Sequence, residues 1–228
     1  DGGEPRLLSF ELELPEITSN SHPAWFSPLT VMVTGSGGTE SQDLLFEGSI
    51  ATRSSQIILP FSGSLRADIG AGHVELARTA LTFDPEATNL MALFPILGDH
   101  IKTAQGRVWV AGHFNWPDIH AEGAQGFSID VQDLNIRGLE FELENVVGDF
   151  VFSSLSPLRT DGVRSVSMDH VGIGISIQRP WLEWSMDGLD CIKIHRVSAL
   201  FAGGNVSASD IDLSTDTATQ IQIDVSGV

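Results

Sequence analysis

A chain of 228 residues with 42% hydrophobic and 18% charged side chains has enough apolar material for one large β domain or two small ones, and it is not disordered. Its formal net charge of −18 is spread along both halves. That excludes nucleic acid as a partner, which needs clustered Lys and Arg, and it excludes adsorption to anionic headgroups through a basic patch. Cys191 is the sole cysteine, so no intrachain disulfide forms and the compartment stays open.

In chain order the first pattern is a strand: Phe10, Leu12 and Leu14 alternate with Glu11 and Glu13, giving one apolar and one polar face. LTVMVTG after Pro28 is a second, closed by Gly35, Gly37 and Gly38. Leu44 to Ala51 and Ser55 to Leu59 read as a pair, Ser64 to Ile69 as the next strand and Gly72 to Phe83 as another. The Gly, Ser, Asp and Asn clusters between them suit turns.

One segment breaks the period of two. Asp84-Pro85-Glu86 has the chemistry of a helix start: Asp as N-cap, Pro at the first helical position, Glu in the first turn. Leu90, Met91, Leu93, Phe94, Leu97 and Ile101 fall on a helical stripe. The pattern predicts a short amphipathic helix near 85–102, kinked or ended by Pro95 and packed on the sheet over an open end.

The period of two returns at Gly106 (GRVWVAGHFNW) and Gly126 (GFSIDVQDLNI). Trp109 lies on the opposite parity from Val108 and Val110, and Trp116 sits by Pro117 in a turn; both read as rim packing. Leu139, Phe141 and Leu143 alternate with Glu140, Glu142 and Glu144, and Phe150 and Phe152 follow. Val166 and Met168 keep the alternation, but Val171, Ile173, Ile175 and Ile177 have switched parity, so a bulge or tight turn is expected at Asp169-His170. Leu182, Trp184 and Met186 run into Asp187-Gly188, a hairpin signal. Ile192 and Ile194, then Val197, Ala199 and Phe201, lead to Gly203-Gly204, and Val206 to Leu213 and Gln220 to Val225 close the series. No composition shift marks a boundary and no strict repeat appears. The expected fold is therefore a single mostly β domain over 1–228, a long antiparallel sheet with one short helix, which must close, fold over or bind something along its apolar face.

Chemistry is sparse. His113 and His120, with Asp118 between them, lack metal-ligand spacing, and no metal or other cofactor is implied. There is no GxSxG elbow, no Gly-rich phosphate loop, and Cys191 beside Ile192 carries no sign of activation. The Glu140, Glu142, Glu144 row reads as a solvated strand face. Catalysis is not expected. The chain starts at Asp1 with no signal-like run and ends within a strand pattern, and so reads as a piece of something longer. Its longest charge-free apolar stretch, Ala87 to Gly98, is too short to cross a bilayer, and the piece reads as soluble.

FSSLSPLRT at Phe152 to Thr160 with the strand after it, AGG at Ala202 to Gly204, LTFDPEATNLMALFPIL at Leu81 to Leu97 and GRVWVAGHF at Gly106 to Phe114 give the chain a family likeness. Over roughly residues 44 to 213 it resembles the C-terminal region of the YdbH family, within the AsmA-like and TamB-like group of periplasmic bridges. The resemblance implies a taco-like sheet rolled around an apolar groove that carries phospholipid acyl chains across the periplasm between inner and outer membranes. It also implies an inner-membrane anchor elsewhere in the full-length protein and a possible outer-membrane or periplasmic protein partner.

From periodicity alone the alternating apolar positions would be a sandwich core. The resemblance makes them groove candidates: Leu12, Leu14, Ile57, Leu59, Val108, Val110, Ile129, Val131, Phe141, Leu143, Phe150, Phe152, Ile173, Ile175, Leu182 and Trp184. Acyl chains offer no hydrogen bonds, and each buried CH₂ contributes about 0.8 kcal/mol, so continuous apolar area is enough to hold a lipid. Two rivals predict other features. A structural or adhesive β-solenoid would stack identical residues in regular coils. A polysaccharide-active enzyme using Asp118, Asp130 and Asp133 would have a polar, aromatic-lined cleft. Assistance in outer-membrane protein assembly is a further alternative, resting on an exposed sheet edge.

Overall fold

A computed structural model describes residues 7–20, 24, 26–38, 43–53, 57–66, 68–84, 90–116, 124–155, 157–188, 190–214 and 223–226. The chain forms one long antiparallel sheet. β1 (Leu7–Ile17), β2 (Leu29–Gly38), β3 (Asp43–Thr52), β4 (Ile58–Arg66), β5 (Ala71–Phe83), β6 (Ile101–Trp116), β7 (Gln125–Gly138) and β8 (Glu142–Leu155) are neighbours in chain order. β9 (Leu158–Thr160) folds back on β8, while β10 (Arg164–Ser167) and β11 (His170–Gly172) occupy successive parts of the lane between β8 and β12 (Ser176–Met186). β13 (Ile192–Phe201), β14 (Gly204–Asp212) and β15 (Ile223–Ser226) complete the order. The chain folds as two compact units, one of Asp1–Thr79, Met91–Ile96 and Ala111–Gln125, the other of Ala80–Leu90, Leu97–Val110 and Gly126–Val228.

Hairpins carry the sheet because turn chemistry sits between the alternating runs. Asp187 and Gly188 close β12 onto β13, with the Asp187 N–H donating to the Cys191 carbonyl at 2.9 Å. Ala202 and Gly203 both take positive φ, 51° and 86°, which makes the tight β13–β14 turn of the kind whose twist matches the flanking strands.

Five expectations need correction. The predicted helix is only α1 (Leu90–Leu93) followed by a 3-10 turn at Pro95–Leu97; its proposed cap and first turn at 85–89 lie outside the described residues. Pro95 ends the helix because it has no N–H to donate, and Ile101 and Lys102 already belong to β6. The expected strands Ser55–Leu59 and Ser64–Ile69 are one strand, β4, with Ser55 outside the described residues and Ile69 in the turn before β5. The strand over 139–144 begins at Glu142, since Leu139 and Glu140 form the β7–β8 turn. Trp116 ends strand β6 rather than standing in a turn. Ile173 and Ile175 belong to no strand: with Gly174 at φ 79° they form the β11–β12 turn, closed by the Ile173 N–H on the Ile175 carbonyl at 3.1 Å.

At Asp169 the sheet breaks where parity required it. The Asp169 N–H donates to the Glu144 carbonyl at 2.9 Å, and its own carbonyl accepts the Arg179 N–H at 2.8 Å, so backbone bonding bridges the gap between β10 and β11. Asn145 and Arg179, on the strands either side, take left-handed φ of 53° and 48°. The Asn145 amide fixes the arrangement by donating to Asp169 Oδ2 at 2.9 Å.

Arg164 pins the start of β10. Its guanidinium pairs with Asp149 at 2.9 Å and with Asp161, its side chain is only 18% exposed, and its Nε is buried without a hydrogen-bond partner. The carboxylates are 46% and 69% exposed, so solvent screening discounts the pairs. Arg164→Met is expected to lower stability by about 1–2 kcal/mol, read as a lower urea midpoint at unchanged slope, with Arg164→Lys recovering only part because one ammonium does not reproduce the planar fork.

Candidate apolar site

In the first unit, cross-strand register puts one class of side chain on one face. Leu14 faces Val31, Val31 faces Ile50 and Ile50 faces Leu59; Leu12 faces Val33, which faces Gly48, which faces Phe61. The other face carries Glu11 and Glu13 on β1, Thr34 on β2, Glu47 and Ser49 on β3, and Ser62 and Ser64 on β4. Directly opposed residues share a face in an antiparallel pair, so the apolar set is continuous across β1 to β4.

Glycines on this face serve the aromatics. Gly35 lies under Phe10, Gly48 under Phe61, Gly63 under Phe46 and Gly72 under Trp116, and a Cβ at any of them would collide with the ring above it. The rings therefore lie flat against the sheet instead of standing off it, which keeps the surface smooth.

In the second unit the same logic runs through β7 to β14. Phe127 faces Phe152, Ile129 faces Phe150, and Val131 faces Gly148, which faces Val166, which faces Leu182. Leu182 in turn faces Val197, and Trp184 faces Ile194, which faces Ile211. Phe150 and Trp184 pack with ring centroids 5.6 Å apart. Leu143 faces both Ile136 and Val171, and Phe141 covers Gly138. Val108, Val110 and Val131 are buried.

Bulges keep this face apolar where the sequence changes parity. Asp133 (φ 52°) inserts between Val131 and Leu134; Asn145 separates Val146 from Leu143; His195 inserts in β13 between Ile194 and Arg196, with Asp210 (φ 56°) on β14 across from it. Each insertion flips the facing, so the next apolar residue returns to the same side. Asn135 ties two of them, donating from Nδ2 to the Asp133 carbonyl at 3.1 Å and accepting the Asn145 N–H on Oδ1 at 2.9 Å. The sequence signal was available in the switch from Ile192 and Ile194 to Val197 and Ala199, but only the one at Asp169 was read as a bulge or turn.

The face is unevenly covered. Leu12 and Leu14 are 48% and 44% exposed, whereas Ile57 and Trp184 are buried. Leu59, Ile129, Phe141, Leu143, Phe150, Phe152 and Leu182 are half-buried. Ile173 and Ile175, at 53% and 51%, project from their turn. No large side chain among the described residues is fully enclosed, although Phe83, Val131, Val166 and Trp184 are buried.

Arg164 shares this face by register, opposite Trp184, and is paired with Asp149. Arg137 pairs with Glu142, which raises its guanidinium further above its ordinary range, and Arg159 pairs with Asp187 at 2.8 Å. The Asp212 carboxyl is held below its usual range, first by the Ser214 N–H at 2.9 Å, then by the Ser214 hydroxyl and by Lys193. Among the described residues no three His, Cys, Asp or Glu side chains gather as metal ligands; Asp118 and His120 lie outside them. No described helix is long and apolar enough to cross a membrane.

Neither the curated proteins nor the solved structures offer a match to this chain. A family model does match, over residues 26–228, and it is that of the YdbH-like proteins, described as intermembrane phospholipid transport protein YdbH, a lipid transport family rather than an enzyme family. With nearly the whole sheet inside the match, the chain belongs to the YdbH-like family.

Proposed function

We propose that this chain carries phospholipid in the bacterial periplasm, its apolar sheet face serving as the wall along which acyl chains move between inner and outer membranes. The observation that supports this reading is the continuous apolar face: the register shifts in β7, β8 and β13 restore apolar facing, and in the first unit Leu12 and Leu14 on that face stay about half exposed. A sandwich would bury such residues; a carrier must leave them accessible to exchange with lipid. Acyl chains need apolar contact and nothing directional, and about 0.8 kcal/mol per CH₂ accumulates over a chain without a specific contact. Movement stays easy because each step exchanges one apolar contact for another. The acidic polar face keeps the protein soluble and off anionic headgroups.

Native mass spectrometry with lipid extraction tests the reading on the chain purified without detergent. Copurified phospholipid, or saturable loading with labelled phospholipid, is the expected result. A monodisperse, lipid-free protein that also refuses loading overturns it.

A further inference from the structure

The polar face of the second unit holds a depression of about 250 Å³ lined by Asp84, Gln105, Arg107, Trp109, Gln132 and Asp133. A second depression of about 310 Å³ adjoins it at Gln105 and is lined further by Asn135, Ile136, Arg137, Leu143 and Glu144. Trp109 faces away from Val108 and Val110, which are buried on the apolar side. The Arg107 guanidinium lies 5.5 Å from the Trp109 ring centroid, a cation–π pair that orients the indole. The Asp133 bulge is held by the Asn135 amide on its carbonyl. Gln105 and Gln132 are exposed, and neither side-chain amide is engaged in a hydrogen bond among the described residues.

The chemistry of this lining selects a ligand. An acyl chain would strip water from two amides and two carboxylates and return no hydrogen bond. A phosphate would meet Asp84, Asp133 and Glu144, whose charge repels it. A sugar ring satisfies both halves of the site, because its C–H face lies on a flat indole while its hydroxyls both donate and accept. Glutamine amides, carboxylates and guanidinium supply the matching acceptors and donors. We infer that this site binds a neutral oligosaccharide, with Trp109 as the platform under one ring, Gln105 and Gln132 reading its hydroxyls, and the second depression receiving the next linked sugar. The Trp109 platform lies on the opposite side of β6 from Val108 and Val110, and the assignment does not depend on the lipid-carrying reading.

Isothermal titration of the folded chain with cellotetraose and with chitotetraose tests the assignment. Saturable binding of at least one is expected, with Trp109→Ala weakening it at least about tenfold, the loss of one stacking contact. The double variant Gln105→Ala with Gln132→Ala alters only exposed side chains, so it decides the matter if Trp109→Ala does not fold; it is expected to weaken binding several-fold. Failure of both sugars to bind the wild-type chain overturns the assignment, and so does unchanged affinity in the folded variants.

Discussion

Replacing Leu12 and Leu14 together with Asp is expected to reduce phospholipid loading of this chain at least tenfold while leaving its stability nearly unchanged. Both effects follow from the same observation. The two leucines lie on the apolar face yet are about half exposed, so folding has already left much of their surface in water and little is lost on substitution. A lipid resting on that face loses more. Removing contact with only two methylenes costs about 1.6 kcal/mol, a little over tenfold in affinity, and two carboxylates along its path add a desolvation penalty. Met32 provides the control. It is 48% exposed on β2 and its register partner, Glu13, places it on the polar face. Met32→Asp should leave loading unchanged, measured with the same labelled phospholipid. Equal loss from both faces, or no loss from the leucine pair, would show that apolar facing does not govern lipid binding.

Much of this architecture was legible because a sheet with one apolar face writes itself into the sequence with a period of two. The Phe10-Leu12-Leu14 strand and the Asp187-Gly188 hairpin follow directly from alternation and turn chemistry. What alternation does not convey is where it must be interrupted. Asp133, Asn145 and Asp210 adopt left-handed backbone in mid-strand, a choice set by pairing with neighbouring strands rather than by local preference. Ile173 and Ile175 show the converse: they continue an alternating run, but the glycine between them permits a turn, and a hairpin displaces the strand. The helix was overextended for a related reason. Leu97 and Ile101 fit a 3.6-residue period by coincidence, while Pro95 and the edge of β6 decided the structure. As for the site, parity identified which residues share a face; how far each is covered depends on strands distant in the chain, which is why Trp184 is buried and Leu12 is not.

The glycine positions carry the second large effect, and here the sequence misleads in a useful way. Gly63 looks like a turn residue, yet it sits inside β4 with the His73 carbonyl on one side and the Phe46 ring on the other. A side chain at this position would drive into both. The Phe46 ring tip, 2.5 Å from an added Cβ, has room to swing aside, but the His73 carbonyl is part of the β4–β5 ladder and moves only if the ladder does. Gly63→Val would gain about 0.5–1 kcal/mol from the reduced freedom of the unfolded chain. Overpacking against a fixed backbone costs about 1–3 kcal/mol, and displacing Phe46 from its seat adds to that. The net expectation is a loss of about 2–3 kcal/mol, seen as a lower urea midpoint and faster amide exchange in β3, β4 and β5. Gly172→Ala is the matched control in a strand: its nearest neighbours are the His170 ring edge at 3.3 Å and Glu142 Cβ at 3.7 Å, contacts that a methyl group tolerates. If Gly63→Val proves as mild as Gly172→Ala, the aromatics are not seated on their glycines, and the smoothness of the apolar face must come from elsewhere. If it is severe, glycine in these strands is selected by the ring above it, and the flatness that would let a lipid slide is written into the chain at the positions that look most like turns.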